Sequence, residues 1–157
     1  MSLEVFTEKF TDTKRIGRIF GEETRKRTTK KGALIIALTG DLGGGKTTFI
    51  QGFARGLGIK QKILSPTFVL MKKFKIPKKR KKLKNKSAGF EYFYHLDCYR
   101  INNPEEILTL SLEKLILGSK NILAIEWAER IKKIIPRNSV RIKFEFMGKN
   151  RRKIIFK

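Results

Sequence analysis

The stretch Gly40-Asp41-Leu42-Gly43-Gly44-Gly45-Lys46-Thr47 fits the spacing G-x-x-x-x-G-K-[ST] of a phosphate-binding loop. Each residue type there has a physical role in holding a triphosphate. Gly43, Gly44 and Gly45 let backbone N–H groups surround phosphate oxygens with no Cβ in the way. Asp41 and Leu42 complete the same backbone cradle. Lys46 brings a point charge for the β- and γ-phosphates, and the Thr47 hydroxyl is a hard oxygen ligand for Mg²⁺. Thr48 follows in the first helical turn. A chance glycine turn would carry the same letters, so the flanks decide. Ala33-Leu34-Ile35-Ile36-Ala37-Leu38 is an unbroken apolar run, as a buried parallel strand requires. After the loop, Phe49, Phe53 and Leu57 recur at helical spacing with Ile50 and Ala54 beside them. The loop therefore joins a strand to a helix N-terminus, whose unpaired amides and partial positive charge favour an anion.

A triphosphate site needs an acid on its metal side. Glu126 follows the apolar run Ile122-Leu123-Ala124-Ile125 at a strand's carboxyl end. A carboxylate placed there can bind Mg²⁺ or accept from metal-bound water; an ordinary surface glutamate is the plain alternative. His95 and Asp97 stand two apart on an expected strand and share a face. Either can orient water or polarise a group, although a lone histidine in a strand is more often structural. Arg100 can neutralise phosphate charge or pair with Glu105 or Glu106. Thr67 can sense the γ-phosphate or merely open a strand. Cys98 suits packing. No G-x-G-x-x-G occurs, which removes a dinucleotide reading. Asn85-Lys86-Ser87-Ala88 is similar to the guanine-reading N-K-x-D but has Ala88 in place of the aspartate, which favours ATP over GTP.

Strand-like and helix-like segments alternate around these groups. Leu3 to Phe6 reads as a short strand. Thr11 or Asp12 caps a helix carrying Ile16, Ile19 and Phe20. Gly58 closes the helix after the loop. Pro66 biases Ser65 toward extended backbone, and the apolar run Phe68 to Met71 follows. Lys72 to Lys86 holds ten basic residues and no acid; with Pro77 and Gly89 it predicts a long basic connection, residues 72–89, between two strands. Phe90 to Asp97 is the return strand. Asn103-Pro104-Glu105-Glu106 starts a helix that ends near Gly118. A short helix from Arg130 to Ile135 stops at Pro136. Val140, Ile142, Phe144 and Phe146 alternate with polar residues as a half-exposed strand. Gly148-Lys149-Asn150 then turns the chain into a last strand. The pattern is one α/β domain over residues 1–157 with a C-terminal β-hairpin.

At 40% hydrophobic and 32% charged residues the chain reads as globular. No apolar stretch nears the ~20 residues that span a bilayer, no basic-then-apolar leader opens the chain, and Cys98 is the single cysteine. These features fit a cytoplasmic protein with no membrane partner. The net charge of +23 would attract a polyanion, with RNA the obvious candidate; a lysine-rich composition with solvated side chains explains it equally well. The basic character reaches beyond one run, since residues 130–157 hold eleven basic residues against Glu145 alone.

Several ordered motifs resemble one family. The loop with Thr48-Phe49 resembles G-D-L-G-A-G-K-T-T-F, Ser65-Pro66-Thr67-Phe68 resembles S-P-T-[FY], and His95-Leu96-Asp97-Cys98-Tyr99-Arg100 resembles H-x-D-x-Y-R. Pro104-Glu105-Glu106 and Glu126-Trp127 are similar to later P-E-E and E-W segments. The family is TsaE (YjeE), bacterial ATPases of tRNA threonylcarbamoyladenosine biosynthesis. The resemblance implies a P-loop NTPase fold whose central sheet is mostly parallel and flanked by helices. It implies ATP and Mg²⁺, and weak intrinsic hydrolysis that depends on a TsaB–TsaD complex. Carried over, Lys46 holds phosphates, Thr47 and Glu126 serve Mg²⁺, and Asp97 supports hydrolysis. Thr67 lies in a switch-like segment, Trp127 lies beside the nucleotide, and the stretch Thr11 to Thr13 lies near the adenine. Gly44 departs from the family's alanine. The Lys72 to Lys86 run is longer than the family pattern, and its contact with tRNA or with the partner surface is an expectation for this chain alone. Two rivals stand beside this reading. One is a small-molecule kinase, although the basic run has only Arg80 for an arginine-rich lid. The other is an RNA-binding module with a relic nucleotide site.

Overall fold

Apolar runs and alternations set the element types, and the computed structural model describes residues 2–27, 31–65, 70–78 and 89–157. Among these, seven strands form one sheet: β1 (Leu3–Thr7), β2 (Leu34–Gly40), β3 (Met71–Lys75), β4 (Tyr92–Asp97), β5 (Asn121–Glu126), β6 (Val140–Phe146) and β7 (Arg152–Phe156). The helices are α1 (Phe10–Lys26), α2 (Lys46–Gly56) and α3 (Leu112–Leu117), with 3₁₀ turns at Pro104–Leu110 and Ala128–Ile131.

The strand order is β1-β7-β6-β2-β5-β4-β3. The centre, β6-β2-β5-β4, is parallel. The pairs β1–β7, β7–β6 and β4–β3 are antiparallel. The sheet is therefore mixed, which corrects the expectation of a mostly parallel one. The reason is local. Gly148 at φ 88° turns β6 straight back into β7, β1 then pairs with the free edge of β7, and β3 folds back on β4. β2 and β5 carry continuous apolar runs because both their faces are covered, whereas β6 alternates apolar and polar residues. The edge strand β3 carries Lys72, Lys73 and Lys75, charges that discourage pairing with another chain.

The two sheet faces build two cores. Ile36, Leu38, Phe93, Ile122, Ala124 and Phe144 face Phe49, Ile50 and Phe53 of α2. Ile35, Ala37, Leu96, Leu123 and Ile125 face the side of Ile107, Leu112 and Ile131. Beside α2 lies α1, whose Phe20 meets Phe49, Phe53 and Phe156, and glycines set the distance between the two helices. A Cβ on Gly17 or Gly21 would lie 2.1 or 2.2 Å from the carbonyl oxygen of Phe49 or Phe53. A Cβ on Gly52 or Gly56 would lie 1.9 or 2.2 Å from that of Lys14 or Arg18. Backbone thus meets backbone on both sides. The N-cap of α1 is Lys9, not Thr11 or Asp12; Asp12 instead reaches back and accepts from the Lys9 amide at 3.0 Å.

Three expected elements differ. β3 begins at Met71 and takes up the first lysines of the basic run, so the connection is shorter than 72–89; residues 79–88 lie outside the described ones. The helix expected from Asn103 to Gly118 is a 3₁₀ turn and then α3, divided at Ser111 with φ 53°. Ile107 and Leu112 both face the second core, yet five residues in a straight α-helix would turn them about 140° apart. The kink brings both inward. The short helix expected from Arg130 to Ile135 is the 3₁₀ turn at Ala128–Ile131.

Candidate functional site

Parallel pairing places the carboxyl ends of β2, β5 and β4 side by side, with Leu38, Glu126 and Asp97 in one row. Crevices outside such ends are where open α/β sheets bind ligands. Residues 40–45 leave β2 there. Gly40 (φ 108°) and Gly45 (φ 99°) hold backbone conformations that side chains resist, and a Cβ on Gly40 would lie 1.9 Å from the Phe144 carbonyl oxygen. Asp41 clamps the loop to β6: its amide donates to Phe144 O at 3.1 Å, and its carboxylate accepts from the Phe146 amide at 3.0 Å. Leu42 is exposed at the loop tip and Gly43 is open. Gly44 donates to Asp41 O at 3.0 Å. Gly45 caps α2, flanked by Thr13 and Arg152. The first-turn amides of α2, including those of Lys46, Thr47 and Thr48, have no carbonyl one turn back to bond.

Lys46 is 4% exposed. Its Nζ donates to Gly40 O at 2.6 Å and Asp41 O at 2.7 Å, and sits 3.9 Å above the Trp127 ring. Burial lowers its pKa from the ordinary lysine value, against the opposing pull of the Glu126 carboxylate. The Thr47 hydroxyl lies 2.9 Å from each carboxylate oxygen of Glu126. His95, fully buried, places Nε2 2.8 Å from Glu126 Oε1. Its Nδ1 has no hydrogen-bond partner among the described residues. Asp97 accepts from Ser65 Oγ at 2.7 Å and from the Tyr99 amide at 3.0 Å. Trp127, at φ 57°, packs against the Tyr99 ring at 5.0 Å.

The loop glycines, Asp41, Lys46, Thr47, Thr48, Asp97, Glu126 and Trp127 thus come from three strand ends and one helix start into one place. Thr11 does not join them. It is exposed on the first turn of α1 and lines a separate groove against α2. Thr67 lies outside the described residues. Sequence reasoning gave no role to Ser65, which binds Asp97, and none in particular to Arg152 beside Gly45. It left His95 between two readings, and only the pairing of Asp97 with Glu126 and of His95 with Ala124 brings its ring to the Glu126 carboxylate.

Chemically, the place offers an amide cradle, an ammonium, a hydroxyl and a carboxylate. Among the described residues no group of three or more His, Cys, Asp or Glu is arranged to hold a metal ion. A hydroxyl and one carboxylate instead fit a cation that keeps most of its ligands from water and phosphate, as Mg²⁺ does.

Three comparisons bear on what the chain is similar to. A family model described as "Threonylcarbamoyl adenosine biosynthesis protein TsaE" matches residues 7–154. The tRNA threonylcarbamoyladenosine biosynthesis protein TsaE of Nostoc sp. is 37% identical over 131 residues, covering 82% of this chain and 69% of that protein. Its counterpart in Treponema pallidum is 31% identical over 143 residues, 91% of each chain. The crystal structure of YdiB from Bacillus subtilis aligns with a TM-score of 0.72 and 28% identity, covering 99% of this chain and 84% of that one.

Proposed function

The chain belongs to the TsaE family of threonylcarbamoyl adenosine biosynthesis proteins, and on that premise we propose that residues 40–47 bind ATP with Mg²⁺ in a P-loop NTPase fold and that the protein hydrolyses it slowly. The role is in threonylcarbamoyladenosine formation on tRNA, in the cytoplasm, with a TsaB–TsaD-type complex as partner. The observation that carries the reading is the Thr47–Glu126 contact at 2.9 Å, between residues 79 apart in sequence. It brings a hydroxyl and a carboxylate together beside the loop, and this pair supports the reading because a Mg²⁺ ion held with phosphate takes such ligands.

The residues fit both absent groups. Gly43 stands in open space, with nothing within 4 Å of a Cβ built there, and the first-turn amides of α2 behind it have no carbonyl one turn back to bond. Thr47 Oγ1 and Glu126 would hold Mg²⁺, which when bound supplies positive charge to the β- and γ-phosphates. Lys46 would exchange the carbonyls of Gly40 and Asp41 for phosphate oxygens, and its buried ammonium lacks the hydration that weakens such a contact. Trp127 packs over Lys46 and limits where it can swing. Asp97, at the end of the neighbouring strand β4, would orient an attacking water; it accepts from Ser65 Oγ at 2.7 Å. None of these groups is an obvious strong base, so slow turnover completed by a partner is the physical expectation.

Calorimetry with ATP and Mg²⁺, and ATPase assays with and without a cognate TsaB–TsaD pair, test the reading. Lys46→Ala should lose nucleotide binding. Glu126→Gln should still take up ATP, lose the enhancement by Mg²⁺, and turn over about 100-fold more slowly. No uptake of ATP, ADP or a non-hydrolysable analogue by folded wild type would end the proposal.

A further inference from the structure

A second concavity lies on the outer side of the α1–α2 pair, with a volume of about 500 Å³. Thr11, Lys14, Arg15 and Arg18 form one wall, Arg55 and Lys60 the other, and Gly52 and Ile59 lie between. No residue of the phosphate loop lines it. Five of its lining residues are cationic and none is acidic. Glu22 accepts from Arg18 Nε at 2.8 Å and is the carboxylate paired with this wall; it engages one of the five guanidinium donors.

A lysine-rich composition does not account for this groove. The chain has 25 lysines and 12 arginines, yet three of the groove's five cations are arginines. Arginine's planar fork matches phosphate oxygens two at a time, which a lysine ammonium does not. The walls are also fixed. The backbone approaches at Gly52 and Gly56 lock α1 against α2, so Arg15, Arg18 and Arg55 project from a rigid platform on both sides of one channel. Charged walls around a channel focus a field that a flat surface does not.

We propose that the α1–α2 groove binds the sugar–phosphate backbone of RNA, with Arg15, Arg18, Arg55 and Lys60 as its phosphate contacts. The occupant is RNA because the ligand must carry repeated negative charge along a channel, and because the relatives' names place them in tRNA threonylcarbamoyladenosine biosynthesis. The inference does not rest on nucleotide binding at residues 40–47.

The test uses a fluorescent tRNA probe, its anisotropy followed over a salt series. The groove variant is Arg15→Gln/Arg55→Gln/Lys60→Gln. The control is Lys132→Gln/Lys133→Gln/Arg137→Gln, the same charge change beside the Ala128–Ile131 turn on the opposite sheet face. The groove variant should bind at least about tenfold more weakly and lower the slope of log K against log salt by about 2 to 3. The control should lose less than half as much. Equal loss in the two triples would reduce the groove to part of a diffuse field and overturn the proposal. So would a polyglutamate competitor that displaces the probe as well as unlabelled tRNA does, since the groove would then suit an acidic protein. Displacement of the probe by ATP in the Lys46→Ala background would make the groove a nucleotide site and overturn it too. Should the triple fail to fold, Arg15→Lys decides: charge is kept, the fork is lost, and binding should fall about threefold or more.

Discussion

Glu126 meets Thr47 on one side and His95 on the other, and that arrangement makes His95 testable. A carboxylate accepts, so His95 Nε2 donates to it, and the strand holds the imidazole where it cannot turn away. His95→Gln keeps a donor and should preserve the Mg²⁺ enhancement of ATP binding within a few-fold. His95→Leu leaves the carboxylate partly unpaired; it should lose that enhancement and about 2 kcal/mol of stability. Trp127 fluorescence during an Mg²⁺ titration and thermal melts read the two effects separately. A loss of stability with Mg²⁺ response intact would make His95 a packing residue. Cys98 offers a second case. Burial first, and the Asp97 carboxylate beside it second, push its thiol up to about 12. Thiol reagents at pH 8 should therefore label native protein slowly and unfolded protein fast. The sign for stability follows. Its folded pKa of about 12 lies above the ordinary 9.0, so through this group the fold loses about 1.4 kcal/mol per pH unit as pH rises between those two values. Lys46, whose pKa is lowered, acts oppositely up to 10.5. The stability advantage of wild type over Cys98→Ala, measured by urea unfolding, should shrink as pH rises past 9. Residue identities at the site were legible because loop spacing and strand-end position carry them. The role of His95 was not, because it depends on which strand lies beside which.

The pairing of α1 with α2 rests on four glycines that a sequence reader passes over, because Gly17/Gly21 and Gly52/Gly56 gain meaning only when the two helices meet. Gly52→Ala would force its Cβ to within 1.9 Å of Lys14 O unless the helices part. Backbone cannot yield as a side chain tip can, so the cost should reach about 2 to 3 kcal/mol, seen as a lower Tm. Gly148→Ala meets nothing within 4 Å, and its penalty is the φ of 88° alone; it should cost about 1 kcal/mol. Equal losses would mean that helix approach is not what Gly52 secures. The same dependence on partners explains the other differences. The hairpin of β6 and β7 could be read from its turn, a local signal. The kink at Ser111 and the start of β3 could not, since the first answers to a core built by distant strands and the second to the edge it pairs with.

The molecule as a whole carries a net charge of +23 over 157 residues, and its ion pairs do little to offset it. Arg18–Glu22, Lys120–Glu91, Lys143–Glu145 and Lys153–Glu4 all have an exposed or half-exposed partner, and such pairs contribute about 0–1 kcal/mol each. Repulsion among 37 cations acts on the folded state more than on the longer unfolded chain, because folding brings the charges closer. Added salt should therefore stabilise. Going from about 0.01 M to 1 M NaCl shortens the screening length from about 30 Å to 3 Å, less than the spacing of most surface charges. Tm should rise by a few degrees, the equivalent of about 1 kcal/mol for a chain of this size. The expectation has a direction that surface salt bridges would reverse, because salt weakens attraction and repulsion alike. A Tm that falls with NaCl would show that the pairs outweigh the repulsion. The Arg15→Gln/Arg55→Gln/Lys60→Gln variant sharpens the point. Removing three cations from one channel should raise the low-salt Tm and flatten its rise with salt, if the α1–α2 groove concentrates charge that the fold tolerates for the sake of a ligand.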